Sequence, residues 1–277
     1  MPRETIILDL LKGEPQGLRV AKFNHSWTGQ AFAAPRIELK ELLEKPEVDS
    51  PGIYFLNGET IKNEPLAYIG VGKSIRNRLK HRKEEFWNQA IVFVGTGGSL
   101  HEGHVKYLEG KVIEEAKKVG RFQIINDQAS GSPLPDYEGA AMDGFLDRMR
   151  ILLPVLGCDV LAPIRFTKTE TLICKIKGLT ANGERTPNGF VVLKGSQAVP
   201  QTRPASTEHS VWVINLRKYL TETGVLVSND KHLLFVKNFE FKSPSAAAAV
   251  IRGGNANGLT EWRNEDGITL KQLDELL

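Results

Sequence analysis

The sequence predicts an α+β fold built in more than one domain. Three observations carry that prediction. Short β-like runs come in pairs across turn residues, the signature of antiparallel hairpins. Longer segments repeat apolar residues with the helical period. The composition shifts after Asn126, where NDQASGSPLPDYEG gathers Gly, Ser and Pro as a linker does. The chain has 277 residues, 41% of them hydrophobic, enough for two modest domains with buried cores.

The elements follow in order. TIILDLL and GLRVAKF flank the turn-rich KGEPQG and form a first hairpin, and IELKELLEK is a brief helix. Residues 1–49 are therefore an accessory hairpin and helix. GIYFLNG and PLAYIGV form a second hairpin around NGETIKNEP. Ser74 is placed to cap a helix whose partial apolar stripe is Ile75, Leu79 and Phe86. AIVFVG at 90–95 is a strand, and a long helix runs from about 101 to 119. Residues 128–185 supply the linker and a connecting helix with the pattern FLDRMRILLPVLG. Beyond them, TLICKIKGLT, GFVVLKGSQAV and KHLLFVKNFEF read as strands and 207–222 as a helix. SPSAAAAVIRGG is a helix bounded by Ser-Pro at its start and paired glycines at its end. Residues 186–277 form a second small domain of mixed α and β structure.

Composition excludes several classes. No run approaches the ~18 apolar residues of a membrane span. The segment MPRETIILDLLKGEP carries acids and lacks the apolar stretch of a secretory signal. Cys158 and Cys174 have no metal-type spacing, which suits two reduced thiols in a cytoplasmic protein. Net charge is +3, too mild to imply a nucleic-acid partner by itself. Its distribution says more. The run KSIRNRLKHRK holds Lys73, Arg76, Arg78, Lys80, Arg82 and Lys83 and no acid. It is either a solvated face or a phosphate-contacting surface.

Three motifs can be set aside. AYIGVGKS at 67–74 ends as a P-loop ends, but Ala67 stands where the first glycine must bend the loop. His101-Glu102-Gly103-His104 lacks the spacing of the helical zinc motif. Capping or nucleic-acid contact is the preferred reading of those histidines. Cys158, Asp159 and His209 form no local triad.

A constellation surrounds the opening of the basic run. Tyr54 and Tyr68 lie on the two strands of one hairpin, where such side chains can meet. Arg78 and Arg82 are four apart and share a helix face. Val105, Leu108, Val112 and Ala116 mark the apolar face of the long helix, and the same periodicity claims Glu109. A carboxylate there reaches solvent along its methylenes, pairs with an arginine, or binds a metal.

These residues resemble a family. Gly52-Ile53-Tyr54, then Tyr68-Ile69-Gly70, an arginine eight residues on, a later helical glutamate and a final asparagine are similar to the GIY-YIG nucleases. The resemblance covers residues 50–127. It implies a small antiparallel sheet flanked by helices. It also implies catalytic roles for Tyr54, Tyr68, Arg78 and Glu109, with Glu109 binding Mg²⁺ or Mn²⁺, and a supporting role for Asn126. The sequence departs from the pattern at Arg82, where several members carry a histidine or tyrosine; His81 lies one position earlier. An arginine there can clamp a phosphate.

The implied chemistry sets demands. A tyrosine acting as base needs a lowered pKa, and Lys73 and Arg78 are the cations placed to lower it. Arg78 would stabilise charge growing on the phosphate. His81 and Arg82 would support the reaction, while Arg76, Lys80 and Lys83 would bind the nucleic-acid backbone.

Farther on, GFVVLKGSQA and SPSAAAAVIRGGNANGLTEW resemble a DUF4357 domain and also the RAMA domains attached to restriction and methylation enzymes, over residues 186–265. Ala246 to Ala249 would let the helix pack closely, and Trp262 would be core. The implied function is a Mg²⁺-dependent endonuclease acting on DNA in restriction, defence or repair. The alternatives are a nucleic-acid-binding protein with an inactive nuclease domain and an accessory subunit of a larger complex.

Overall fold

A computed structural model describes residues 4–24, 27–60, 65–126, 131–163, 171–203, 210–229 and 231–276. The chain divides into two compact units, Met1–Ala162 and Pro163–Leu277. The sequence placed boundaries at 49, 127 and 185 instead.

The first unit is built on one seven-stranded sheet. Its strands are β1 (Ile6–Leu10), β2 (Arg19–Phe23), β3 (Gly29–Pro35), β4 (Gly52–Glu59), β5 (Pro65–Gly72), β6 (Trp87–Gly95) and β7 (Gln123–Ile124). They lie in the order β1-β2-β3-β6-β4-β5-β7. Every pair is antiparallel except β5 with β7. The first hairpin is therefore part of the same sheet as GIYFLNG, joined to it through β3. That strand, GQAFAAP, escapes sequence reading because alanine is a weak strand former.

Among the described residues, four α-helices cover the sheet. They are α1 (Leu39–Glu44), α2 (Ile75–Lys80), α3 (Glu102–Val119) and α4 (Asp136–Val155). Side chains alternate along β4, so Ile53 and Phe55 join the core under α3 and α4, while Tyr54 and Leu56 join the core under α1 and α2. This two-sided burial is why GIYFLNG is apolar without a break. From α3, Val105, Leu108, Val112, Ile113 and Ala116 fill the first core. Ser74 caps α2 by accepting a hydrogen bond from the Asn77 amide. Phe86 lies beyond the end of α2, and its partial burial comes from packing on the second core instead. The turn residues 61–64 of the second hairpin and residues 127–130 of the linker lie outside the described residues.

The second unit holds two sheets. Strands β8 (Leu172–Ile176), β9 (Leu179–Thr186), β10 (Gly189–Val192) and β14 (Phe239–Phe241) make one, in the order β14-β10-β9-β8. Strands β11 (Gln197–Ala198), β12 (Leu226–Asn229) and β13 (His232–Phe235) make the other. KHLLFVKNFEF is thus broken into two strands in different sheets. Asn238 sits in the break, where its side chain accepts a hydrogen bond from the Lys194 amide at 2.7 Å. Among the described residues, the helices of this unit are α5 (Val211–Glu222), α6 (Pro244–Arg252), α7 (Gly258–Glu261) and α8 (Leu270–Glu275). The first residues of the predicted 207–222 helix, His209 among them, lie outside the described residues.

The α6 boundaries are as the sequence predicts. Ser243 caps it at the Ala246 amide, Pro244 opens it, and Gly253 follows it. Ala247, Ala248 and Ala249 are buried, and Trp262 is fully buried with its ring 4.4 Å from Phe190. Arg217 of α5 is buried too and donates to the carbonyls of Val199, Pro200 and Val250. Both cysteines are buried free thiols, and burial pushes Cys158 up to about 12 and Cys174 up to about 11. Such thiols stay protonated and unreactive near neutrality. No helix among the described residues is long and apolar enough to cross a membrane.

Candidate active site

Strand register brings the two tyrosines together. Tyr54 pairs with Gly70 and Leu56 with Tyr68, so the tyrosines sit diagonally on one face of the hairpin. Their rings stack at 6.0 Å and 26°. Gly70 makes this possible: a Cβ there would lie 2.6 Å from the Tyr54 hydroxyl and 2.7 Å from the Tyr68 ring. Gly52 is equally constrained, because its Cβ would approach the Phe93 carbonyl to 2.5 Å. The glycines of both tripeptides therefore answer to space.

Arg82 clasps the pair. Its Nε and Nη2 donate to the Tyr54 hydroxyl at 3.0 and 2.7 Å. Its guanidinium lies 3.9 Å from the Tyr68 ring centre, a cation–π contact. A third nitrogen, Nη1, donates to Glu84 at 2.9 Å. The residue that departs from the family pattern is thus bound to the tyrosines, not held ready to clamp a phosphate.

Burial pushes the Tyr54 phenol up to about 12, against the opposing pull of Arg82 and, more weakly, Arg78. This is the reverse of the lowered pKa that a tyrosine base would need. Lys73, one of the two cations assigned to lower it, pairs with Glu102 at 2.8 Å and is largely exposed.

A cleft of about 530 Å³ opens at the end of β5, between α2 and α3. Lys73, Arg78, His81 and Glu109 all line it, together with Glu102 and Lys106. Arg78 is held in place by Nε donating to the Val71 carbonyl at 3.0 Å, with its stem against Gly72. Glu109 projects from the core-facing side of α3 and is only 8% exposed. The predicted residues therefore form two groups, the cleft set and the Tyr54–Tyr68–Arg82 clasp. Strand β5 carries Tyr68 of the clasp and helix α2 carries Arg78 of the cleft, with His81 and Arg82 just beyond its end.

The remaining candidates have other surroundings. Asn126 binds strand β5: its side chain accepts from the Ile69 amide at 3.1 Å and donates to the Ile69 carbonyl at 2.5 Å. It acts as one more residue of backbone beside β7, holding the strand that carries Tyr68. Arg76 spends its guanidinium on the Leu43 and Lys45 carbonyls and on Asp49. It ties α2 to the α1 region and is not presented to a phosphate. Lys80 and Lys83 are exposed.

Some site residues escaped sequence reading. Glu102 and Lys106 line the cleft two turns and one turn before Glu109, and their signal was the helical spacing from it. Of the cluster of His101, His104 and Glu138, the sequence singled out the two histidines and read them as capping or nucleic-acid contacts; Glu138 had no signal, because it joins them from α4.

A second cleft, of about 600 Å³, lies in the other unit, where Trp212, Ser243, Ser245, Asn255 and Asn257 face it. Trp212 is 45% exposed there. Asn257 also caps α7 at the Leu259 amide.

Comparison with curated proteins and with solved structures gives no match. Residues 172–274 match the family described as a domain of unknown function (DUF4357). The match begins at β8, so the β8–β9 hairpin belongs to this domain, which the sequence placed from 186 onward.

Proposed function

We propose that the first unit is a GIY-YIG-type endonuclease that hydrolyses phosphodiester bonds, with DNA as its substrate and Mg²⁺ as its cofactor. One observation carries this reading: Arg78, His81 and the buried carboxylate of Glu109 converge on a single cleft, whose arginine acts electrostatically on Tyr54.

The donor set suits Mg²⁺. That ion takes oxygen ligands, keeps several waters and needs only one or two carboxylates. Glu109 would hold it; Mn²⁺ suits the same oxygens. When bound, the ion would polarise the phosphate and favour ionisation of a coordinated water. Arg78 would offer its remaining N–H groups to the phosphate oxygens as charge grows on them. His81 brings an imidazole that can accept a proton.

The role of Tyr54 follows from its hydrogen bonds. With a pKa of about 12, only about one molecule in 10⁵ is ionised at pH 7. Two N–H groups of Arg82 already occupy its oxygen, so its own proton points elsewhere. Buried at 0% exposure, Tyr54 would serve as a neutral positioning residue that holds Arg82 against the Tyr68 ring, and not as a base.

The elevated phenol also favours a second reading, a nucleic-acid-binding unit without cleavage. Plasmid, single-stranded and modified DNA incubated with the protein and Mg²⁺ or Mn²⁺ would separate the two. Metal-dependent cleavage lost in Glu109→Ala supports the nuclease. Tight binding with no cleavage of any substrate supports the alternative.

For the second unit we propose a DNA-reading role, supported by the partly exposed Trp212 beside Asn255 in its cleft. An indole can stack on a base, and an amide can hydrogen-bond a base edge. A preference for modified bases follows from the resemblance to domains attached to methylation enzymes.

A further inference from the structure

We propose that His101, His104 and Glu138 form a zinc site that fastens α4 to the first turn of α3. The site is separate from the cleft residue Glu109 and does not depend on the nuclease reading.

The geometry is specific. Nε2 of His101 and Nε2 of His104 both point at one oxygen, Oε2 of Glu138, at 3.4 and 3.2 Å. In a tetrahedral zinc site with bonds of about 2.0–2.1 Å, ligand atoms lie about 3.3–3.4 Å apart. All three candidate ligand atoms lie within 4.8 Å of one another. The imidazoles stack with ring centres only 3.5 Å apart, closer than the ~4.5–7 Å usual for aromatic pairs. Two imidazoles on one tetrahedral ion have their centres about 5 Å apart, so zinc binding would open this stack.

The chemistry selects zinc over magnesium. Two imidazole nitrogens and one carboxylate oxygen are a borderline-soft set, which suits Zn²⁺, whereas Mg²⁺ requires oxygen ligands. The other oxygen of the carboxylate, Oε1, accepts a hydrogen bond from the Tyr137 hydroxyl at 2.9 Å. This fixes the carboxylate's rotation and leaves Oε2 turned to the histidines, as outer hydrogen bonds do in metal sites. Nδ1 of His104 is buried with no hydrogen-bond partner. Nothing therefore prevents its proton from resting on Nδ1, with the Nε2 lone pair free for the metal.

Two effects oppose binding. The N-terminal dipole of α3 disfavours a cation; Glu138 offsets it. His101 also caps α3, with Nδ1 accepting from the Gly103 and His104 amides at 3.1 and 3.4 Å. Coordination through Nε2 moves the imidazole proton to Nδ1, so those two contacts are exchanged for the metal bond. Asparagine caps a helix equally well but is no match for imidazole as a ligand. His101→Asn therefore separates the two roles.

The test uses the untagged full chain, stripped with a chelator and titrated with Zn²⁺ by calorimetry and by thermal melting. The expected result is one Zn²⁺ per chain and a rise in Tm. His104→Gln and Glu138→Gln should each weaken zinc binding at least tenfold. His101→Asn should do the same while its metal-free Tm stays at the wild-type value. Glu109→Gln should bind zinc as the wild type does. The proposal is overturned if the wild type takes up no zinc, if the histidine and Glu138 variants bind it unchanged, or if Glu109→Gln alone removes it.

Discussion

Tyr54 shows at the scale of one residue how position decides chemistry. Its tripeptide identified it in the sequence, but the sequence put it among cations that would ionise it, and the fold buries it instead. What hid this was the double burial of β4, a property of the whole sheet. A measurable consequence follows for stability. Folded Tyr54 holds its proton more tightly than the unfolded chain does, so its contribution is complete below pH ~10 and is lost as pH rises toward its folded value. With that value at about 12, the loss amounts to about 3 kcal/mol at most. Denaturant unfolding of wild type and Tyr54→Phe across that alkaline range should show a shallower decline for the variant. The difference matters, because the buried thiols titrate in the same range and cancel in it. Parallel declines would refute the buried neutral phenol. Arg78 and Lys80 give a second contrast. Arg78→Ala should lower the single-turnover rate, since its role is in the transition state. Lys80→Ala should weaken DNA affinity and reduce the salt slope by about 1. An unchanged rate in Arg78→Ala would remove it from the chemistry.

Elements with local signals were legible. The second hairpin, α3 and α6 each carry their periodicity and end signals in sequence, and Glu109 stood out because it interrupts an apolar stripe. Other features depend on distant partners. Strand β3 is alanine-rich and is a strand because β2 and β6 pair with it. Helix α4 begins at Asp136, within what read as linker, because Gly139 and Gly144 weaken the helical signal. Asn126 was legible as a motif residue but not as a side chain that imitates backbone pairing. For α6, local and tertiary contributions can be separated. Ser243→Ala removes one cap bond and should cost about 1 kcal/mol. Trp262→Ala empties a site packed on Phe190 and should cost about 3–5 kcal/mol. Urea unfolding followed by a signal from the second unit measures both, and a loss in Trp262→Ala no larger than in Ser243→Ala would contradict the core role of Trp262.

At the scale of the whole molecule, the proposed functions fall into separate units. Phosphate contacts position a protein on DNA without reading its sequence, so selectivity is assigned to the second unit and chemistry to the first. Trp212→Ala and Asn255→Ala should reduce discrimination between methylated and unmethylated duplexes while leaving the cleavage rate at saturation unchanged; equal discrimination in wild type and variants would leave the second cleft without a reading role. The central claim is tested most directly by single-turnover cleavage of a DNA substrate with Mg²⁺, comparing wild type with Glu109→Gln, which keeps the size of the side chain and removes its charge. The nuclease reading predicts Mg²⁺-dependent cleavage by the wild type and a loss of at least a hundredfold in the variant, with an unaltered Tm. Equal cleavage rates in the two proteins would contradict it.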